Sequence, residues 1–129
     1  MPKTVLVVED DADTRNIYGT ALSECGYRVL MAVHGAEGVA LARRFRPDLI
    51  LMDIRMPVMD GWHAMHYLRS YRYTSAIPVC AMSAYAPEAD KADAVERLGF
   101  ECFLMKPLAP KRIVEEVEVR IGPALGPPN

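Results

Sequence analysis

The sequence predicts one α/β sandwich, a parallel sheet covered by helices, and three observations predict it. Short apolar runs alternate with longer helical segments five times along the chain. The runs at residues 5–8, 49–52 and 79–82 are continuously apolar instead of alternating, as strands covered on both faces should be. At 129 residues the chain has the size of a single domain and can bury a core without disulfides or structural zinc. Right-handed crossovers then leave few topologies.

Residues 4–8 form the first strand, rich in valine. A helix follows over 13–25, with Ile17, Ala21, Leu22 and Cys25 recurring on one face, and Gly26 ends it as glycine commonly ends helices. Residues 28–32 are the second strand and 36–45 the second helix, with Pro47 beyond its end. The third strand is 49–53, the third helix 61–70 and the fourth strand 78–82. The fourth helix spans 87–98 and opens on Pro87, a residue suited to a first turn. The fifth strand is 101–105, and the last helix, 110–121, carries Ile113, Val114, Val117 and Ile121 on one stripe. The domain therefore spans 1–121, and residues 122–129, rich in glycine and proline, read as a flexible tail.

Composition excludes several classes. Hydrophobic residues make up 51% and charged residues 25%, as in ordinary globular proteins. A net charge of −2 argues against direct nucleic-acid or membrane-surface binding, which calls for a basic excess. The local pairs Arg43-Arg44 and Lys111-Arg112 read as solvated helix faces. Three cysteines with no Cys-x-x-Cys spacing do not suggest a disulfide framework or a zinc site, and Cys80 and Cys102 read as small core residues. No apolar run is long enough to span a membrane and the N-terminus lacks a signal-peptide pattern, so a bacterial-type cytoplasm is expected. His63 and His66, three apart, do not by themselves make a metal site, and Trp62 reads as a packing residue.

The informative polar residues fall at strand ends. Glu9, Asp10 and Asp11 follow the first strand, Asp53 closes the third, Ser83 follows the fourth and Lys106 the fifth. In an open parallel sheet all carboxyl ends share one rim, where ligands bind. Crowded carboxylates repel unless a cation sits among them, and oxygen donors from several loops suit Mg²⁺. A metal-bound carboxylate can attack phosphorus and form an acyl phosphate, while Lys106 and the Ser83 hydroxyl face the charge on the phosphoryl oxygens. Duller roles compete. Asp11 and Asp13 can cap the first helix, Ser83 can be a turn hydroxyl and Lys106 a surface lysine. Asp53 is hardest to explain that way, because it ends an apolar run where an unpaired charge is costly.

These residues resemble the receiver domain of bacterial two-component response regulators. The matching segments are Val5-Leu6-Val7-Val8-Glu9-Asp10-Asp11, then Pro47-Asp48-Leu49-Ile50-Leu51-Met52-Asp53, then Ile54-Arg55-Met56-Pro57-Val58-Met59-Asp60-Gly61, and finally Ser83-Ala84 and Lys106-Pro107. The resemblance covers Lys3 to about Ile121. It implies a doubly wound, flavodoxin-like (βα)5 fold, a three-layer sandwich with strand order 2-1-3-4-5. By position, it implies Asp53 as phosphoacceptor and Asp10, Asp53 and the backbone carbonyl of Arg55 as direct ligands of Mg²⁺ (or Mn²⁺), with Glu9 reaching the metal through water. Arg15 aligns with a recurrent first-helix arginine, which makes Glu9-Asp10 the acidic pair and Asp11 an extra acid. Ser83 and Lys106 resemble the phosphoryl-contacting pair, Phe103 the aromatic that swings inward on activation, and the Lys106–Pro107 bond is expected to be cis.

The resemblance further implies a signalling domain that catalyses only its own phosphorylation and dephosphorylation. Its partners would be a sensor histidine kinase or histidine phosphotransfer protein, a downstream protein target and, on phosphorylation, a second copy of the chain. Departures are few. Lys106 lies 23 residues after Ser83, about one more than usual; phenylalanine replaces tyrosine at Phe103; Arg55 and Tyr85 occupy positions that govern water access; and Gly38 sits mid-helix at a local cost of about 1 kcal/mol. An aspartyl-phosphate phosphohydrolase of the haloacid dehalogenase type needs an acid where Arg55 stands. A flavin or nucleotide binder needs a phosphate loop where the acids follow the first strand. A receiver-like scaffold that is never phosphorylated would not need the full acid, serine and lysine set. A stand-alone regulator is favoured over the N-terminal piece of a longer regulator or hybrid kinase.

Overall fold

In a computed structural model that describes residues 2–56, 59–84 and 88–125, with the side chains of 88–90 and 94 excepted, the predicted alternation is realised in full. The strands are β1 (Thr4–Val8), β2 (Arg28–Ala32), β3 (Leu49–Asp53), β4 (Val79–Ser83) and β5 (Cys102–Met105). The helices are α1 (Ala12–Glu24), α2 (Gly35–Phe45), α3 (Gly61–Ser70), α4 (Glu88–Glu96) and α5 (Pro110–Ile121). All pairings are parallel and the order is β2-β1-β3-β4-β5. Pro87 and Tyr85, and the Pro57-Val58 step of the motif, lie outside the described residues.

The continuous apolar strands follow from the sandwich. Leu6, Val8, Ile50, Met52, Val79 and Ala81 enter one core, beneath Val39 and Ala42 of α2 and Ala64, Met65 and Leu68 of α3. Their strand neighbours Val5, Val7, Leu49, Leu51, Cys80 and Met82 enter the other, beneath Tyr18 and Leu22 of α1 and Ile113 and Val117 of α5. Alternate side chains point to opposite faces, so a strand with a core on each side must be apolar throughout.

Three expectations need correction. The buried stripe of α1 is Tyr18, Gly19 and Leu22, while Ile17 is 49% exposed and Cys25 is exposed at the C-cap. Tyr18 and Leu22 are four apart and share a face, whereas Ile17 and Cys25 lie to its side. The start of the supposed loose tail is docked: Lys3 N–H donates to the Ala124 carbonyl at 2.7 Å, and Ala124 is buried in the α1/α5 core. Gly38 is more than a helix-weakening residue, since a Cβ there would lie 2.8 Å from Val8 Cγ2. Its bare backbone lets α2 approach β1 just below Glu9.

Candidate functional site

The carboxyl rim is built by strands whose hydrogen bonding continues one residue past their ends. Glu9 N–H donates to the Ala32 carbonyl at 3.0 Å, Ile54 N–H to Met82 at 2.9 Å and Lys106 N–H to Ser83 at 2.8 Å. The side chains of Glu9, Asp53, Ser83 and Lys106 are thus carried by sheet backbone and not by loose loops. Asp11 caps α1, accepting from Thr14 N–H at 2.9 Å and Thr14 Oγ1–H at 2.6 Å, which is the capping role open to it. The Arg15 guanidinium returns to donate to the Glu9 carbonyl at 2.8 Å and the Asp10 carbonyl at 3.3 Å, bracing the acidic pair from behind.

On the far side, Gly61 closes the turn that follows β3. Its N–H donates to the Ile54 carbonyl at 2.9 Å, and a Cβ there would lie 2.9 Å from the Asp53 carbonyl oxygen, so only glycine fits. Asp60 caps α3, accepting from His63 N–H at 3.0 Å, and its carboxylate also meets His63 Nδ1 at 2.9 Å. This gives His63 a local partner. Trp62 packs edge-to-face on Phe100 with ring centres 5.9 Å apart, as a packing residue should.

Glu9, Asp10 and Asp53 converge, each offering an oxygen within 4.8 Å of the others, and they form the one group of potential metal ligands among the described residues. Glu9 is fully buried and Asp53 is 6% exposed, while Asp10 is exposed. The Lys106 ammonium pairs with Glu9 Oε1 and lies 3.2 Å from Asp53 Oδ2. Asp53 Oδ1 accepts from the Arg55 N–H at 3.0 Å. Burial, reinforced by hydrogen bonding to Asp53, pushes the Glu9 carboxyl up to about 7, and the adjoining carboxylates raise the Lys106 ammonium despite its desolvation. Two buried acids and the exposed Asp10 against one lysine leave net negative charge, and their carboxylate oxygens are hard donors suited to a small divalent cation. Ser83 is buried at the end of β4, Phe103 is half-buried against the α2/α3 core, and the Lys106–Pro107 bond is cis as expected. A cleft of about 450 Å³ between α1 and the β5–α5 connection opens beside Lys106.

The sequence places Glu9, Asp10, Asp53, Ser83 and Lys106 at this rim, where the structure has them, but not how Lys106 is engaged. Strand ends give its location; its pairing with Glu9 depends on side-chain reach across the sheet and has no sequence signal.

A family model for the response regulator receiver domain matches residues 5–118. The polar-differentiation response regulator DivK of Brucella anthropi is 33% identical over 124 residues, covering 96% of this chain and all of that protein. Among solved structures, chemotaxis protein CheY4 of Vibrio cholerae superposes with a TM-score of 0.88 at 26% identity, covering 94% of this chain and all of that one. The receiver domain of a sensor histidine kinase from Pseudomonas aeruginosa PAO1, solved with magnesium coordinated in its active site cleft, gives 0.84 at 30% identity, covering 95% of this chain and 99% of that one. The chain belongs to the response regulator receiver domain family of two-component signalling. Among the described residues no helix is long and apolar enough to cross a membrane.

Proposed function

We propose that the chain is a phosphorylation switch in which Asp53 accepts a phosphoryl group from a phosphohistidine on a sensor histidine kinase or phosphotransfer protein. The observation that carries this reading is the convergence of Glu9, Asp10 and Asp53, with oxygens within 4.8 Å of one another, beside the Lys106 ammonium. An Asp53 oxygen bonds to phosphorus as the phosphorus–nitrogen bond to the imidazole breaks. The imidazole keeps the electron pair, and the product is an acyl phosphate. Asp10, Asp53 and the Arg55 carbonyl would hold Mg²⁺ or Mn²⁺ directly, and Glu9 through water. When bound, that ion supplies positive charge against the phosphoryl oxygens.

Lys106 supplies charge from the protein. Its ammonium is already 3.2 Å from Asp53 Oδ2, and it exchanges Glu9 for a phosphoryl oxygen once Asp53 is modified. The Ser83 hydroxyl donates to another phosphoryl oxygen and is drawn towards Asp53. Phe103 rotates inward, and the face formed by α4, β5 and α5 shifts towards the state that a downstream protein recognises. Phosphorylation thereby biases two existing states.

Intact-mass analysis after incubation with acetyl phosphate tests this reading. The wild-type chain should gain one phosphoryl group with Mg²⁺ and none with a chelator, and Asp53→Asn should gain none. Equal labelling of Asp53→Asn, or Mg²⁺-independent labelling of the wild type, contradicts it.

A further inference from the structure

The opposite rim of the sheet, where the strands begin, carries a charge pattern that the phosphorylation site does not use. Residues 38–47 and 61–87 contain five arginines and no aspartate or glutamate, in a chain whose net charge is −2. The first segment ends α2 and the second ends α3, so both deliver their arginines to this rim. A strand of five residues spans about 16 Å, which separates the rim from the carboxylates at Asp53.

One of the five is structural. Arg69 donates to the carbonyls of Ser75 at 2.9 Å, Ile77 at 3.0 Å and Gly99 at 3.1 Å. The other four, Arg43, Arg44, Arg46 and Arg72, make no side-chain hydrogen bond or ion pair among the described residues. Instead they lie over aromatic rings. The Arg43 guanidinium sits 3.9 Å from the centre of Tyr71, Arg46 sits 3.9 Å from Tyr73, Arg72 is 5.7 Å from Tyr73 and Arg44 is 5.2 Å from Phe45. Arg46 reaches its ring from a left-handed backbone conformation, φ 49°, unusual for a residue other than glycine. Arg43, Arg44, Arg72, Tyr71 and Tyr73 line a cleft of about 420 Å³, within the size range of small-ligand sites. Tyr73 is 58% exposed.

We propose that this cleft binds a nucleoside polyphosphate, its phosphates met by the guanidinium edges of Arg43, Arg44 and Arg72 and its base stacked among the Arg–Tyr pairs. Guanidinium edges not spent on carboxylates can donate bidentately to phosphate oxygens. A guanidinium lying on a tyrosine ring presents a flat outer surface on which a base can stack. Three arginine charges without an ion pair among the described residues suit a polyphosphate, and the cleft volume suits one nucleotide.

Calorimetric titration of the intact chain with GTP, ATP and inorganic tripolyphosphate at about 50 mM salt tests the proposal. At least one nucleotide should bind at one site per chain, about fivefold or more tighter than tripolyphosphate, because stacking adds to charge. Arg43→Lys keeps the charge but loses the planar group, so it should weaken the nucleotide about fivefold and tripolyphosphate less, about twofold, because only the nucleotide loses stacking as well as a bidentate contact. The double variant Arg43→Gln/Arg72→Gln should weaken both ligands about tenfold or more, with circular dichroism melts reporting that the fold is retained. Absence of nucleotide binding below about 1 mM overturns the proposal, as does tripolyphosphate binding as tightly as the better-bound nucleotide. Tenfold tighter binding of an oligouridylate of about 12 nucleotides would reassign the surface to RNA and overturn it too.

Discussion

At the carboxyl rim of the sheet, Glu9 and Asp53 are buried and Lys106 bridges them; at the amino rim, Arg43, Arg46 and Arg72 lie over tyrosine rings and, among the described residues, pair with no carboxylate. The difference is one of solvation. Buried charges are expensive unless compensated, so under the proposed function the carboxyl rim should respond strongly to a cation or phosphoryl group placed there. The amino-rim charges keep much of their water, cost the fold little and are available to an anion. One rim holds charge as stored tension, and the other displays it.

The sharpest way to break this contrast is to remove its central cation. Lys106→Ala leaves two buried carboxylates facing each other, so stability should fall by about 3 kcal/mol and Asp53 phosphorylation should slow about 100-fold, measured by melts and by intact-mass time courses. An unchanged rate would mean that Lys106 does not face the phosphoryl group. The amino rim contains its own control. Arg69→Ala strips a half-buried guanidinium from several carbonyls and should destabilise the fold by about 2–3 kcal/mol, whereas Arg72→Ala should stay within about 0.5 kcal/mol. Equal losses in denaturant titrations would erase the distinction between structural and displayed arginines.

A smaller effect follows from pH. The Glu9 carboxyl rises from 4.5 to about 7 in the folded protein, chiefly through burial. A carboxyl raised in this way contributes stability that is complete below its unfolded value and is lost as pH climbs through its folded value. In a chelating buffer, the wild type should therefore lose about 2 kcal/mol relative to Glu9→Gln between about pH 4.5 and 7.5, and added Mg²⁺ should reduce the loss. A difference of the opposite sign in paired melts would contradict the placement of Glu9.

Much of this molecule was legible in its sequence, for physical reasons that also mark where legibility ended. Strands such as Leu49–Asp53 could be read residue by residue, because two helix layers demand an unbroken apolar run. The acids, Ser83 and Lys106 could be placed because parallel strands bring their carboxyl ends to one rim. The α1 stripe was misread because Tyr18 can face either core or solvent, and only packing decides. Gly38 looked like a helix defect until Val8 was seen against it. Arg43 and Arg44 are exposed, as a solvated face should be, but the ring beneath Arg43 could not be read, since Tyr71 arrives from almost 30 residues further along the chain.

The most direct measurement at the carboxyl rim is chemical trapping. The chain, phosphorylated by acetyl phosphate with Mg²⁺, is reduced with borohydride, which converts an aspartyl phosphate to homoserine, and its peptides are sequenced by mass spectrometry. Homoserine should appear at position 53 and at no other aspartate. Homoserine at Asp10, Asp11 or Asp60 with Asp53 intact, or phosphate retained on His63, would contradict the assignment of Asp53 as the acceptor.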